Sequence, residues 1–235
     1  MNLSISSRNL SEMQDQGFTV FEDVLSLHEL DSLDEALVDF LERTRRDDRT
    51  REVDFGQKVA ERDDFVRDFA KRTEFVTLAT AFIGPDTDLY FNQMVYKNPE
   101  GAIPFSWHQD DAYGPVEPSP YLTVWIPITD ATLENGCLSV MPGSSRQGLV
   151  PHWESDFGLA CHSNDDPDQG VLLPLKQGSL CAFWSTTMHK SGANLTTAVR
   201  KAFILQFCPV GMRHKASGMT IRSRIPISRN GEPVR

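Results

Sequence analysis

Three things are scarce in this sequence. Its four cysteines, Cys137, Cys161, Cys181 and Cys208, stand far apart in 235 residues, with no C-x-x-C pair. That spacing excludes a cysteine zinc knuckle and argues against a disulfide framework, so free thiols in a reducing cytoplasm are expected. Long apolar runs are missing too. No window approaches the ~18 residues of a membrane span, and the opening MNLSISSRNL has no apolar core of signal-peptide length. Positive charge is in deficit, with 23 Lys and Arg against 33 Asp and Glu and a net charge of -10. A general nucleic-acid binder needs a basic surface to displace counterions, so that class is set aside. What remains is an ordinary soluble composition in a chain of one-domain length.

The charge is unevenly spread. From Gly211 onward come six basic residues (Arg213, Lys215, Arg222, Arg224, Arg229, Arg235) and one acidic residue, Glu232. A solvated basic tail, 211–235, is the expectation; the sharper alternative is an arginine meeting an anionic substrate group.

Residues 1–84 read as a helical layer. LHELDSLDEALVDFLERT places Leu30, Leu33, Leu37, Phe40 and Leu41 at helical spacing, and GFTVFEDV before it is a short strand candidate. Arg43 to Arg72 mixes both charge signs and is expected as exposed loop and helix; DDFVRDFAKRTEFVTLATAFIG then resumes a helical pattern up to Gly84. From about 85 to 210 the character changes. DLYFNQMVYK, YLTVWIPITD, GCLSVMPGS, VLLPLKQGSLCAFW and KAFILQFCPV are short β-branched or aromatic segments divided by Gly, Pro, Asn and Asp. Strands without intervening helices predict an antiparallel jelly roll, so the chain reads as one domain, mainly β with N-terminal helices.

PFSWHQDDAY, Pro104 to Tyr113, carries the first chemistry. If WHQD is extended, His108 and Asp110 share a face, while Gln109 and Asp111 point away or toward a following loop. One H-x-D triplet is common by chance, and a third ligand must come from elsewhere. His28 falls in a helix, His152 and His162 flank a polar loop, and His214 lies near the basic tail. His189 follows the strand GSLCAFWSTTM, whose end a barrel can bring beside His108. Two imidazoles and a carboxylate on one side of a metal suit non-haem Fe(II), which keeps positions open; zinc takes the same donors, so the triad alone does not name the metal. Arg200, eleven residues after His189, can grip a carboxylate through its planar fork, with Ser191 adding a hydroxyl. Together these point to a dicarboxylate cosubstrate.

WHQDDAY, LTVWIPITDATLENGCLSVMPGS and MHKSGANLTTAVRKAFILQF, in this order, resemble the phytanoyl-CoA dioxygenase family of Fe(II)/2-oxoglutarate-dependent oxygenases. The opening QDQGFTVFEDVLSLHELDSL is similar to that family's first strand and helix, so the resemblance spans roughly Gln14 to Pro209. It implies a double-stranded β-helix (jelly-roll, cupin-like) core flanked by helices. It also implies metal ligands at His108, Asp110 and His189, and 2-oxoglutarate partners at Arg200 and Ser191. Lys97 and Trp125 match positions that the family uses around the cosubstrate, with Gln93 nearby as a further candidate. The family's frequent PGSH is PGSS here, which removes any role for a histidine there.

The implied reaction is hydroxylation of an unactivated C–H bond of a small-molecule metabolite, using 2-oxoglutarate and O2 and releasing succinate and CO2. Desaturation, cyclisation or epimerisation by the same site is the alternative. A halogenase, which lacks the carboxylate, and a non-catalytic metal-binding jelly roll rank below these. Phe105, Trp107 and Tyr113 are candidates for the pocket lining or for plain packing, and Trp125 could equally fill the barrel. Cys137 is expected as a small buried hydrophobe, and the long loop Arg146 to Gly170 as part of the pocket wall. Nothing in the sequence bears on oligomeric state.

Overall fold

Apolar residues at every third or fourth position need one surface to cover, and short alternating strands need a partner sheet. The computed structural model, which describes residues 3–44, 53–99, 103–161, 170–222 and 225–234, shows how each need is met. Helix α1 (Ser7–Asp15) leads into strand β1 (Phe18–Phe21), the long helix α2 (Leu27–Thr44), strand β2 (Val53–Gln57) and helices α3 (Asp64–Ala70) and α4 (Thr73–Phe82). The β core follows with β3 (Thr87–Lys97), β4 (Phe105–His108), β5 (Val116–Glu117), β6 (Leu122–Pro127) and β7 (Leu138–Val140). A small hairpin, β8 (Trp153–Ser155) and β9 (Gly158–Ala160), precedes β10 (Val171–Leu173), β11 (Leu180–Trp184), β12 (His189–Ser191) and β13 (Arg200–Pro209). Three short strands complete the chain: β14 (Arg213–His214), β15 (Pro226–Arg229) and β16 (Glu232–Pro233).

Two antiparallel sheets form the jelly roll. The larger has the order β1-β11-β6-β13-β3-β15-β16, with β2 also paired to β3; the smaller has the order β10-β7-β12-β4. Helix α2 buries Leu30, Leu33, Leu37 and Phe40 in a core cluster shared with Val124, Leu205 and Phe207 of the large sheet. Burying each such side chain contributes about 1.5–3 kcal/mol, which fixes the helical layer on the outer face of that sheet. The inner face is left to the cavity.

The N-terminus of α2 is closed by a capping box. The Ser26 backbone N–H and hydroxyl donate to Glu29 at 2.7 and 2.8 Å, and Arg72 donates to the same carboxylate at 2.6 Å. Burial pulls the Glu29 carboxyl up, but these donors outweigh it and hold the pKa at about 2. A depressed carboxylate pKa contributes stability above its unfolded value, near 4.5, and loses it as pH falls toward 2. We expect Glu29→Gln to lower the melting temperature at pH 7 and to flatten its fall between pH 4.5 and 2, checked by calorimetry. The cap itself is worth about 1 kcal/mol.

The structure corrects two expectations. Within Arg43 to Arg72, read as loop and helix, lies β2, whose five residues pair with β3 from Val53↔Lys97 to Gln57↔Gln93. The segment read as a solvated tail supplies β15, which pairs with β3; Ile225 and Ile227 are buried in the main core, so two aliphatic side chains decide the placement over the surrounding arginines.

Candidate metal centre and its cavity

The two histidines are cross-strand partners. His189 on β12 lies opposite His108 on β4, with ring centroids 4.3 Å apart. Each ring is fixed by its Nδ1, which donates to a carbonyl two residues earlier: Ser106 for His108 at 2.8 Å, Thr187 for His189 at 3.0 Å. That tautomer leaves both Nε2 lone pairs free. Burial first, then the neighbouring His189, hold the His108 imidazole below the usual histidine range and therefore neutral, as a metal ligand must be.

Asp110 completes the group. Its Oδ1 lies 3.6 Å from His189 Nε2 and 4.0 Å from His108 Nε2, and one ligand atom from each residue falls within 4.8 Å of the others. Its Oδ2 accepts the Thr123 hydroxyl at 2.6 Å, which aims Oδ1 at the histidines. Two imidazole nitrogens and one carboxylate oxygen on one side of a common point are the donor set of a facial metal site.

The local structure differs from an extended WHQD. β4 ends at His108, Gln109 stays extended, and Asp110 opens a 3-10 turn, Asp110–Tyr113. Gln109 is fully buried: its Nε2 donates to Gly148 and Thr186 carbonyls at 2.8 and 2.5 Å, its Oε1 accepts Val150 N–H, and its own N–H reaches His152 Nε2. Asp111 does not begin a substrate-facing loop. It is buried, accepting Val116 N–H at 3.2 Å and the Ser119 hydroxyl at 2.7 Å, and so pins the turn that presents Asp110. The turn is needed because both carboxylates must find partners at once.

Between the two sheets lies a cavity of about 500 Å³ lined by the triad together with Arg200, Ser191, Trp125, Gln93 and Thr123. Arg200 is 1 % exposed, yet its Nε and Nη1 have no hydrogen-bond partner, and neither has the buried Ser191 Oγ. Burial pulls the guanidinium pKa down to about 10, and Trp125 packs 5.7 Å from it. Among the described residues no carboxylate pairs with it. A buried guanidinium whose N–H groups lack acceptors pays desolvation without return, so the cavity is shaped for a ligand that brings an anionic acceptor.

Lys97 sits differently from Trp125 and Gln93. It is fully buried opposite Arg200 and outside the cavity lining, with its ammonium donating to the carbonyls of Ile103, Ser191 and Gly192 and lying 4.3 Å from the Phe105 ring centroid. Burial and then Arg200 pull its pKa to about 6, but three carbonyl acceptors match the three N–H bonds of the charged form. Phe105 and Tyr113 line the cavity; Trp107 instead packs with Met141 and Met188. Cys137 is buried. Of the loop 146–170, Phe157 and Gly158 reach the cavity wall, while 162–169, including His162, fall outside the described residues.

Several residues enter that sequence reading passed over. Thr123 lies two before Trp125, so the same alternation that placed Trp125 would have placed it on the inner face. Phe183, whose ring centroid is 4.6 Å from that of His189, and Gln57 of β2 gave no local signal. Thr123→Val should weaken metal binding by about 10–100-fold without unfolding the chain, measured by Fe(II) titration alongside circular dichroism.

The fold and the convergent donors define a jelly-roll protein with a two-histidine, one-carboxylate centre beside a buried cation. The profile of the family described as Phytanoyl-CoA dioxygenase (PhyH) matches residues 13–202, and the chain belongs to that family. A relative from Stutzerimonas stutzeri, described as a probable alpha-ketoglutarate-dependent hypophosphite dioxygenase, is 29% identical over 150 residues, covering 60% of this chain and 52% of its own length. The chain thus aligns with about half the length of the curated relatives it matches. Among solved structures, the non-heme alpha ketoglutarate dependent carbocyclase SnoK superposes with a TM-score of 0.81 at 22% identity, covering 96% of each chain. EvdO2 from Micromonospora carbonacea var. aurantiaca, solved with 2-oxoglutarate, gives 0.76 at 24% identity, covering 93% of this chain and 96% of its own. These likenesses show the fold. Among the described residues no helix is long and apolar enough to cross a membrane.

Proposed function

We propose that this chain is an Fe(II)- and 2-oxoglutarate-dependent dioxygenase oxidising an unactivated C–H bond of a small-molecule metabolite, with hydroxylation as the outcome. The observation that carries this reading is the unpaired, buried Arg200 guanidinium in the same cavity as three convergent metal donors. His108 Nε2, His189 Nε2 and Asp110 Oδ1 would hold the iron. When bound, iron with 2-oxoglutarate and O2 supplies C–H oxidation coupled to release of succinate and CO2.

The chain's own residues have separable tasks. Arg200 offers a planar fork to the distal carboxylate, and Ser191 adds its free hydroxyl. Trp125 flattens the wall beside the guanidinium, and Gln93 lines the same inner face. Lys97 acts one layer behind: by gathering the Ser191 and Gly192 carbonyls it positions Ser191. Thr123 holds Asp110 in place, and the aromatic walls exclude water from the reacting atoms. The whole chain would act as one catalytic domain, because β15 extends the sheet that carries Arg200. Four free cysteines support work in a reducing cytoplasm. The test is stoichiometry. Purified protein with Fe(II), 2-oxoglutarate and O2 should release one succinate per substrate oxidised; no succinate above a metal-free control, across a broad metabolite panel, would overturn the reading.

A further inference from the structure

The proposed reaction uses the cavity from the triad to Arg200. On the other side of Asp110 stands a second group of polar side chains with no assigned task. Thr123, which holds Asp110, faces Gln206 across the β6–β13 pair, and Gln206 lies six residues, about 20 Å, from Arg200 along β13. Tyr90, Tyr113, Tyr121 and Gln206 all line the cavity.

A β-bulge brings the first of them in. The β13–β3 register passes from Gln206↔Phe91 directly to Phe207↔Leu89, so Tyr90 is an extra residue in β3. Consecutive strand residues face opposite ways, yet Tyr90 and Phe91 both reach the cavity, because the bulge turns the tyrosine inward. A Cβ added to Gly114 would lie 3.7 Å from the Tyr90 phenol oxygen, which puts that hydroxyl at the end of the turn that presents Asp110. Tyr121 arrives by ordinary alternation, two residues before Thr123. Its N–H donates to the Ser185 hydroxyl at 3.1 Å and its carbonyl accepts the Ser185 N–H at 2.9 Å. The Tyr90 and Tyr121 rings meet edge to face at 5.0 Å and are backed by Val116, Cys208 and Met212.

Packing fixes the rings and leaves their hydroxyls unused. The chain has four tyrosines, and buried Tyr96 donates to Asp34 at 2.6 Å, as buried phenols usually do. Tyr121 is 2 % exposed, but neither its hydroxyl nor that of Tyr90 has a hydrogen-bond partner among the described residues. The Tyr113 phenol oxygen accepts the Leu159 N–H at 3.1 Å, which leaves its proton to donate. The buried Gln206 carboxamide is unbonded among the described residues as well. Three O–H donors and an amide on one wall call for acceptor oxygens. An alkyl chain laid there would strand them without partners.

We infer that this wall is the substrate-recognition site, and that the substrate carries a carbonyl-type oxygen, of a ketone, amide or carboxylate, held by Tyr90, Tyr121 and Gln206. Tyr113 supplies a further donor from the turn itself. This deepens the oxygenase reading and rests on it. Because the oxygen-bearing group is gripped on the Asp110 side, the C–H bond presented for oxidation is one close to that group and not the far end of a long chain.

The test uses the anaerobic protein with Fe(II) and 2-oxoglutarate and three probes on one ring skeleton: cyclohexyl methyl ketone, cyclohexanecarboxylate and cyclohexylmethylamine. Binding is read by ligand-observed NMR, repeated on metal-free protein with saturating 2-oxoglutarate, and by perturbation of the visible iron–2-oxoglutarate band. At least one oxygen-bearing probe should bind about tenfold more tightly than the amine, a donor-only cation, and the order of the two tells whether keto or carboxylate oxygen is the handle. The double variant Tyr90→Phe/Tyr121→Phe should weaken the oxygen-bearing probes about tenfold and leave the amine unaffected. Its melting temperature and its iron–2-oxoglutarate band should stay intact, since the lost hydroxyls bond nothing in the protein. Tighter binding of the amine, no binding of either oxygen-bearing probe at millimolar concentration, or binding indifferent to the double variant overturns the site. A fall in melting temperature overturns it too, because the hydroxyls would then be bonded within the fold. Absence of the band in the wild type overturns the oxygenase reading instead, and NMR on the metal-free protein then still decides whether the wall holds a carbonyl oxygen.

Discussion

Asp110→Ala is expected to remove turnover, by more than about 100-fold, while leaving the melting temperature nearly unchanged. A residue that only orients a ligand already costs 10–100-fold, and Asp110 is read as a ligand itself. Its other oxygen bonds the Thr123 hydroxyl, and losing that bond in a cavity wall that ligand or water can reach is tolerable. Asp111→Ala should do the reverse. It strands the buried Val116 N–H, at about 1–3 kcal/mol, and so lowers the melting temperature by several degrees. Iron should still bind to the fraction that remains folded. Adjacent aspartates thus separate by phenotype, one through chemistry and one through stability. Thermal melts and Fe(II) titration on the same two variants check it.

Arg200→Leu is expected to weaken 2-oxoglutarate binding by at least about 30-fold, the lower limit for truncating one member of a buried charge pair. It should not destabilise the free protein. The guanidinium is 1 % exposed with two unpaired nitrogens, so in the absence of cosubstrate it costs desolvation without return, and a shorter apolar side chain facing the cavity removes that cost. Arg200→Lys should fail to rescue binding, because a point charge lacks the planar fork. Saturating 2-oxoglutarate should raise the melting temperature of the wild type by binding linkage and leave that of Arg200→Leu almost unmoved.

How much of this was legible in the sequence depends on how local each signal is. The bounds of α2 match the apolar spacing because one face of the helix meets one sheet. The juxtaposition of His108 with Asp110 is legible because two residues share a face over so short a distance, even though the chain leaves the strand between them. His189 could be picked only by elimination, and its register opposite His108 is a product of the sheet. Lys97 shows the limit. Strand alternation gives it the side of its strand, but whether the ammonium turns to a cosubstrate or to three carbonyls depends on where β4 and β12 pass. β2 was lost because five residues interrupted by Gly56 carry too little pattern inside a dense run of charge. The stack of Phe55, Phe105 and Phe157 joins three elements remote in sequence, and no single stretch announces it.

The central claim is that His108, Asp110 and His189 hold an iron whose open positions take 2-oxoglutarate anchored by Arg200. Its most direct measurement is an anaerobic titration, Fe(II) first and 2-oxoglutarate second, followed by visible absorption. The account predicts a charge-transfer band that saturates at one iron per chain, is absent in Asp110→Ala, and needs far more 2-oxoglutarate in Arg200→Leu. No band in the wild type, or an equal band in Asp110→Ala, would contradict it.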